Sequence, residues 1–107
     1  MNITDKSLNN FLIVSLHGIL NASSAPQLLS HITGVPEDQS VVIDLEKIEF
    51  LDSSGLGVLV GISRKKRAAG ATFRLAGMNN RVRKVFELTN TSSLFDIYDD
   101  AATAATA

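Results

Sequence analysis

The chain has no cysteine among its 107 residues. Disulfides, thiolate zinc centres and cysteine nucleophiles are thereby excluded. It also lacks a basic-then-apolar leader, since it starts Met1-Asn2-Ile3-Thr4-Asp5. Its longest apolar stretch, Leu56 to Ile62, is too short and too interrupted by glycine to span a bilayer. These absences predict a cytoplasmic chain without a transmembrane segment. The two histidines, His17 and His31, lie apart in the sequence with no second ligand at metal spacing, so neither marks a metal site. The acidic stretch Glu46, Glu49 and Asp52 reads as a solvated connection, or one that docks on a basic partner, rather than a cation site.

Nucleotide and hydrolase motifs are missing too. The glycines at 55, 57 and 61 form GxGxxxG, and the dinucleotide fingerprint needs glycine where Val60 stands. No GxxxxGK[ST] phosphate loop is present. A nucleophile elbow needs glycine two residues before serine, but Leu51 precedes Ser53 and Asp52 precedes Ser54 at that spacing. No catalytic residue is assigned, and no cofactor is expected on the chain itself.

What is present is the composition of a compact globular fold, 45% hydrophobic and 20% charged. At this length a chain buries enough surface to fold without a disulfide or structural metal. Net charge is only -1, but it is segregated. Residues 1–63 hold two bases and seven acids, residues 64–84 hold eight bases and no acid, and residues 85–107 hold four acids and no base. A basic segment framed by acidic ones favours oriented docking of a partner over general nucleic-acid affinity. No aromatic platform interleaves the bases, so direct nucleic-acid binding is not expected.

Hydrophobic periodicity supplies the elements. Ile3–Ser7 and Phe11–Leu16 read as an N-terminal hairpin turned by Asn9-Asn10 and closed by His17-Gly18. Ala25, Leu28, Leu29 and Ile32 fall at helical spacing, with Ser23 or Ser24 as N-cap, Pro26 in the first turn and Gly34 as terminator. Ser40–Leu45 contains Val41-Val42-Ile43, suited to a strand buried on both faces, with a loop following through Phe50-Leu51-Asp52. A helix from Ser54 to about Ala68 carries Leu56, Leu59, Val60 and Ile62 and ends in Arg64-Lys65-Lys66-Arg67. Thr72–Ala76 is a strand. Asn79 or Asn80 caps a helix with Val82, Val85 and Phe86 toward the core, and Leu94–Tyr98 is a last short strand. The order β β α β α β α β predicts an α/β fold with a mixed sheet of four to five strands, an N-terminal hairpin and helices packed on it. One domain over residues 1–100 is expected, followed by an Ala/Thr-rich tail at 101–107 that is either a frayed helix or disordered.

The informative stretch is Asp52-Ser53-Ser54-Gly55-Leu56-Gly57, because it follows a buried strand and opens a helix. Free backbone N–H groups at a helix start favour a bound or covalent anion. The plainer reading is an ordinary helix start, with Ser53 or Ser54 as N-cap and Gly55 and Gly57 allowing close approach to the sheet.

Preceded by Val42-Ile43-Asp44-Leu45 and Phe50-Leu51, this run resembles the signature of bacterial anti-sigma factor antagonists, the single-domain members of the STAS family. Leu16-His17-Gly18-Ile19-Leu20-Asn21 is similar to the family's Gly-x-Leu-Asp segment, with Asn21 where Asp is usual. Phe73–Gly77 with Val82, Val85, Phe86 and Leu94-Phe95 is similar to its fourth strand and third helix. The resemblance covers nearly the whole chain and implies a STAS-like fold. It further implies phosphorylation of Ser53 by a partner that is both anti-sigma factor and serine kinase, with ATP and Mg on that kinase and a serine phosphatase to reverse it. Asn21, Asp52, Ser54, Gly55, Leu56 and Gly57 would support partner binding. The alternative the resemblance leaves open is a non-switched STAS subunit of a membrane-associated transport complex.

Overall fold

The computed structural model covers residues 1–107. Strand β1 (Asn2–Leu8) turns into β2 (Phe11–Leu20) through Asn9-Asn10, both at positive φ, 52° and 68°. Paired left-handed residues make a two-residue turn whose twist matches antiparallel strands, and asparagine tolerates that conformation better than most residues. Helix α1 (Ala25–Thr33) leads to β3 (Val41–Leu51), α2 (Ser53–Ala68), β4 (Phe73–Ala76) and α3 (Asn80–Leu88). A single 3₁₀ turn at Ser92–Leu94 precedes β5 (Asp96–Tyr98), and α4 (Ala101–Thr106) ends the chain. The sheet order is β1-β2-β3-β4-β5; only the β1–β2 pair is antiparallel, as expected of a hairpin joined to crossover units.

The sheet separates two cores. On one face Val14, Leu16, Ile43, Leu45 and Leu75 pack against Leu28 of α1, Leu59 and Ile62 of α2, and Val82 and Phe86 of α3. On the other, Ile13, Val42 and Ala76 pack against Ala104 and Ala105 of α4. Val41, Val42 and Ile43 are all fully buried, as a strand covered on both faces requires.

Two strands run further than the sequence pattern suggests. β2 continues through His17-Gly18 to Leu20, with its pairing to β3 shifting register between Ser15 and His17 and again between Gly18 and Ile19. Gly18, at φ 122°, absorbs the irregularity without a Cβ penalty. β3 continues to Leu51 because Ile48 and Leu51 stay buried while Glu46, Lys47, Glu49 and Phe50 face solvent. Half-covered strand, not loop, is the meaning of those charges. In α1, Leu29 sits at core spacing yet is 41% exposed, leaving Ala25, Leu28 and Ile32 as the buried face.

The Ala/Thr-rich tail forms α4, a helix far too short to persist alone in water. Ala104 and Ala105 lie flat on the sheet, and Arg74 of β4 holds the helix end. The Arg74 guanidinium lies 5.0 Å from the Phe11 ring centroid and 5.2 Å from that of Tyr98, and Nη1 donates to Ala104 O at 2.8 Å and Ala107 O at 3.1 Å. The other helix end is capped by Asp100, whose Oδ1 accepts the Thr103 amide at 2.7 Å. The hairpin turn adds a tie, Asn9 Nδ2 donating to Ala105 O at 3.0 Å.

The hydrogen bond from the Thr103 amide, aided by its hydroxyl, holds the Asp100 carboxyl below its ordinary pKa. A carboxylate with a depressed native pKa stabilises the folded form above its unfolded value, and that contribution is lost as pH falls through the native value. Amide-exchange protection at Thr103–Ala105 should therefore drop in acid, below the ordinary aspartate range. Asp100→Ala should show the same weak protection at neutral pH, with β3 amides unaffected; equal protection in variant and wild type at neutral pH would remove the cap from the account.

Candidate functional site at the start of the second helix

β2 and β3 end side by side, with Leu20 opposite Leu51 and both side chains fully buried. The chain leaves β3 at Asp52, whose N–H donates to Leu20 O at 3.1 Å. Asp52 is extended (φ −108°, ψ −173°) and is the N-cap of α2: Oδ1 accepts the Gly55 amide at 3.0 Å, and its carbonyl accepts Leu56 N–H at 3.0 Å. The expectation that Ser53 or Ser54 caps this helix is thus corrected by one residue. Asp is as good an N-cap as Ser, and three consecutive candidates cannot be ranked by type alone. The consequence is chemical: Ser53 and Ser54 are the first two helical residues, both exposed, and neither side chain makes the cap.

The glycines divide. A Cβ on Gly55 would stand 2.7 Å from both Leu20 Cγ and Leu20 O, so α2 crosses the end of β2 only because residue 55 has no side chain. A Cβ on Gly57 would meet nothing within 4 Å, and this residue is exposed. Gly55 serves the close approach expected of both glycines; Gly57 does not. Leu56, Leu59 and Ile62, 6% exposed or less, then fix the helix on the sheet. The hydroxyl of Ser53 therefore projects from a backbone anchored by hydrogen bonds on one side and packing on the other.

Asn21 leaves β2 beside this point. Its Oδ1 accepts from Ser23 N–H at 3.0 Å and Ser24 N–H at 3.2 Å, folding its own turn. Ser24 is the residue before α1 but makes no cap, because its hydroxyl donates to Ile19 O at 2.6 Å. A feature that periodicity missed flanks the site: Ile19 and Phe50 are partners in the β2–β3 register and are 44% and 42% exposed. The sequence pattern ends β2 at Leu16 and places Phe50 in a loop, so this pairing emerges only because both strands extend to Leu20 and Leu51.

No surface hollow is lined by any residue from 52 to 57. The arrangement is a projecting hydroxyl with a flanking apolar pair, suited to being gripped rather than to enclosing a small substrate. His31 Nε2 lies 2.8 Å from Asp5 Oδ1 and His17 is exposed elsewhere; no three His, Asp or Glu side chains gather where a metal ion could sit. No helix is long and apolar enough to cross a membrane.

A parallel sheet begun by a hairpin, with Asp-Ser-Ser-Gly-Leu-Gly opening the helix after its central strand, defines a class: the chain belongs to the STAS domain family, whose profile matches residues 2–104. Among its relatives, the anti-sigma-B factor antagonist of Bacillus subtilis is 28% identical over 98 residues, covering 91% of this chain and 90% of that protein. The crystal structure of an anti-sigma factor antagonist from Mycobacterium paratuberculosis superposes with a TM-score of 0.88 at 26% identity, over 98% of this chain and 91% of that one. The Bacillus cell fate determinant SpoIIAA in its phosphorylated form shares the fold, with a TM-score of 0.73 at 21% identity over 98% of this chain and 96% of that one.

The two glycines should separate in solution. Gly55→Ala forces α2 off β2 and should cost about 1–3 kcal/mol. Gly57→Ala, with no obstruction and better helix propensity, should stabilise by up to about 1 kcal/mol. Urea unfolding of both variants measures the difference; equal effects would show that the Leu20 contact does not limit the helix approach.

Proposed function

We propose that the chain is an anti-sigma factor antagonist, a binding module switched by phosphorylation of Ser53. Unmodified, it binds an anti-sigma factor that is also a serine kinase, and so frees a sigma factor or an equivalent regulator. The observation that carries the reading is the exposed Ser53 hydroxyl at the first position of a helix whose cap is supplied by Asp52. The names of the Bacillus subtilis and Mycobacterium paratuberculosis relatives support the role, and the phosphorylated form of SpoIIAA supports modification in this fold.

In this reading the Ser53 oxygen attacks the γ-phosphorus of ATP held with Mg on the partner, its proton passes to a base of the kinase, and ADP leaves. The chain contributes no acid, base or metal ligand; it contributes a hydroxyl presented at a fixed place. A serine phosphatase returns the alcohol. Asn21, Asp52, Ser54, Gly55, Leu56 and Gly57 hold or border the surface that the partner covers, and Ile19 and Phe50 extend it with apolar area.

Magnitudes decide which way the switch acts. A phosphoryl group adds about -1.5 to -2 charge. The helix N-terminus returns about 0.3–1 kcal/mol for an exposed anion. A partner carboxylate ~6 Å away costs about 3 kcal/mol per unit charge at an effective dielectric near 20. Repulsion outweighs the helix contribution, so phosphorylation weakens the interface by at least about two orders of magnitude while the fold persists.

Incubation with the cognate kinase and ATP, followed by intact-mass measurement and titration calorimetry, tests this. Ser53→Ala should bind the kinase as wild type and gain no phosphate. Ser54→Ala should still be phosphorylated, and Ser53→Asp should bind about a hundredfold more weakly. Equal phosphorylation of the Ser53→Ala variant overturns the assignment. Wild-type protein that binds its partner but takes no phosphate from it favours the transport-complex subunit instead.

A further inference from the structure

The far half of α2 carries a second feature that the Ser53 site does not use. Between α2 and the 3₁₀ turn before β5 lies a groove of about 50 Å³, lined by Val60, Ser63, Arg64, Arg67, Leu94 and Phe95. Its walls are apolar and its rim is basic: Leu94 is 43% exposed, and Arg64 and Arg67 face solvent. Arg67 Nη2 donates to Leu94 O at 3.1 Å, which holds the guanidinium over the groove with its other donors free. Ser63, 6% exposed, contributes to the groove lining between them.

We propose that this groove is a docking surface for an acidic peptide segment of a partner protein, one that inserts an apolar side chain between Val60 and Leu94 and sets its carboxylates on Arg64 and Arg67. Charge complementarity selects that occupant. Arg64 and Arg67 are exposed on the groove rim and no acidic side chain lines the groove, so no lining group opposes a carboxylate there. Arginine rather than lysine forms the groove rim, and its planar fork suits bidentate carboxylate binding. A flat anionic membrane would meet the guanidinium groups but leave the groove between Val60 and Leu94 unfilled. A single strand of nucleic acid would find no exposed ring to stack on, because Phe95 is buried.

The surface is independent of the Ser53 switch. Arg64 lies eleven residues along the same helix, about 16 Å at 1.5 Å per residue. That separation is roughly twice the Debye length of about 8 Å at physiological ionic strength. A partner held here would keep its grip when Ser53 is modified.

The test uses the full ¹⁵N-labelled chain and the peptide acetyl-Glu-Glu-Leu-Glu-Asp-amide, with amide shifts read on titration. Saturable shifts centred on Val60, Ser63 and Leu94 are expected. Replacing the peptide leucine by serine should weaken binding several-fold, and Arg64→Glu with Arg67→Glu should weaken it by about tenfold or more. Ser53→Asp should leave the affinity unchanged, so loss of the Ser53 reading would not touch this one. Absence of these shifts at millimolar peptide overturns the proposal, as does equal binding of the serine peptide. Preferential perturbation of the same amides by phosphatidylserine vesicles or oligothymidylate assigns the groove to a membrane or nucleic acid and overturns it as well.

Discussion

The approach of α2 to the end of β2 governs everything at the site. Asp52 N–H and the missing side chain of Gly55 both meet Leu20, one through a hydrogen bond to its carbonyl and the other through a gap of less than a methyl group. The backbone between them, Ser53 and Ser54, has no freedom to retract. Exposure of the Ser53 hydroxyl is therefore a result of packing one and two residues away. Conformational cost is met when the chain folds, not when a partner arrives, and this is the sense in which a rigid presented group binds better than a mobile one.

Much of this was legible from residue order. The Val41-Val42-Ile43 run, the Leu28/Ile32 and Val82/Phe86 spacings and the Asn9-Asn10 turn each state one local preference that the fold keeps. What escaped did so for identifiable reasons. Gly18 looks like a stop and is a bulge, so the last residues of β2 were hidden. Glu46, Lys47 and Glu49 look like loop and are the open face of β3. The exposed pair Ile19 and Phe50 exists only because both strands extend past those misleading signals. The cap at Asp52 was ambiguous for a different reason: three good cap residues stand in a row, and only the pull of Leu20 on the Asp52 amide chooses among them.

The tail shows composition failing where context succeeds. Ala-Ala-Thr-Ala-Ala-Thr has little side chain to bury, yet small side chains are what a helix needs to lie close to a flat sheet face, here over Ile13, Val42 and Ala76. The long-range partner is Arg74, a base that sequence order groups with a basic segment but that the sheet turns to the opposite face from α2. Bracketed by Phe11 and Tyr98, its guanidinium takes the carbonyls at the end of α4, although its Nε is buried without an acceptor. One unsatisfied donor is the cost of turning an arginine into a helix clamp; the two carbonyl bonds and two ring contacts offset it.

Subtracting Arg74 sharpens the meaning of the charge segregation along the chain. Lys66 is also removed from the surface, 3% exposed, with Nζ donating to Pro36 O at 3.0 Å and Glu37 O at 3.3 Å. Burial lowers its pKa despite the raising influence of Asp38 and Glu37, so desolvation outweighs their attraction and this lysine ties the α1–β3 connection to α2. Two of the eight bases between residues 64 and 84 thus act inside the fold. The exposed remainder on α2, Arg64, Lys65 and Arg67, lies at the C-terminal end of the helix, where positive charge complements the helix dipole. The same helix therefore begins with a hydroxyl where an added anion is tolerated by the backbone and ends with cations that favour one. A charge placed at one end reaches the other only weakly through solvent, so a single rigid element can serve two contacts that respond to different signals.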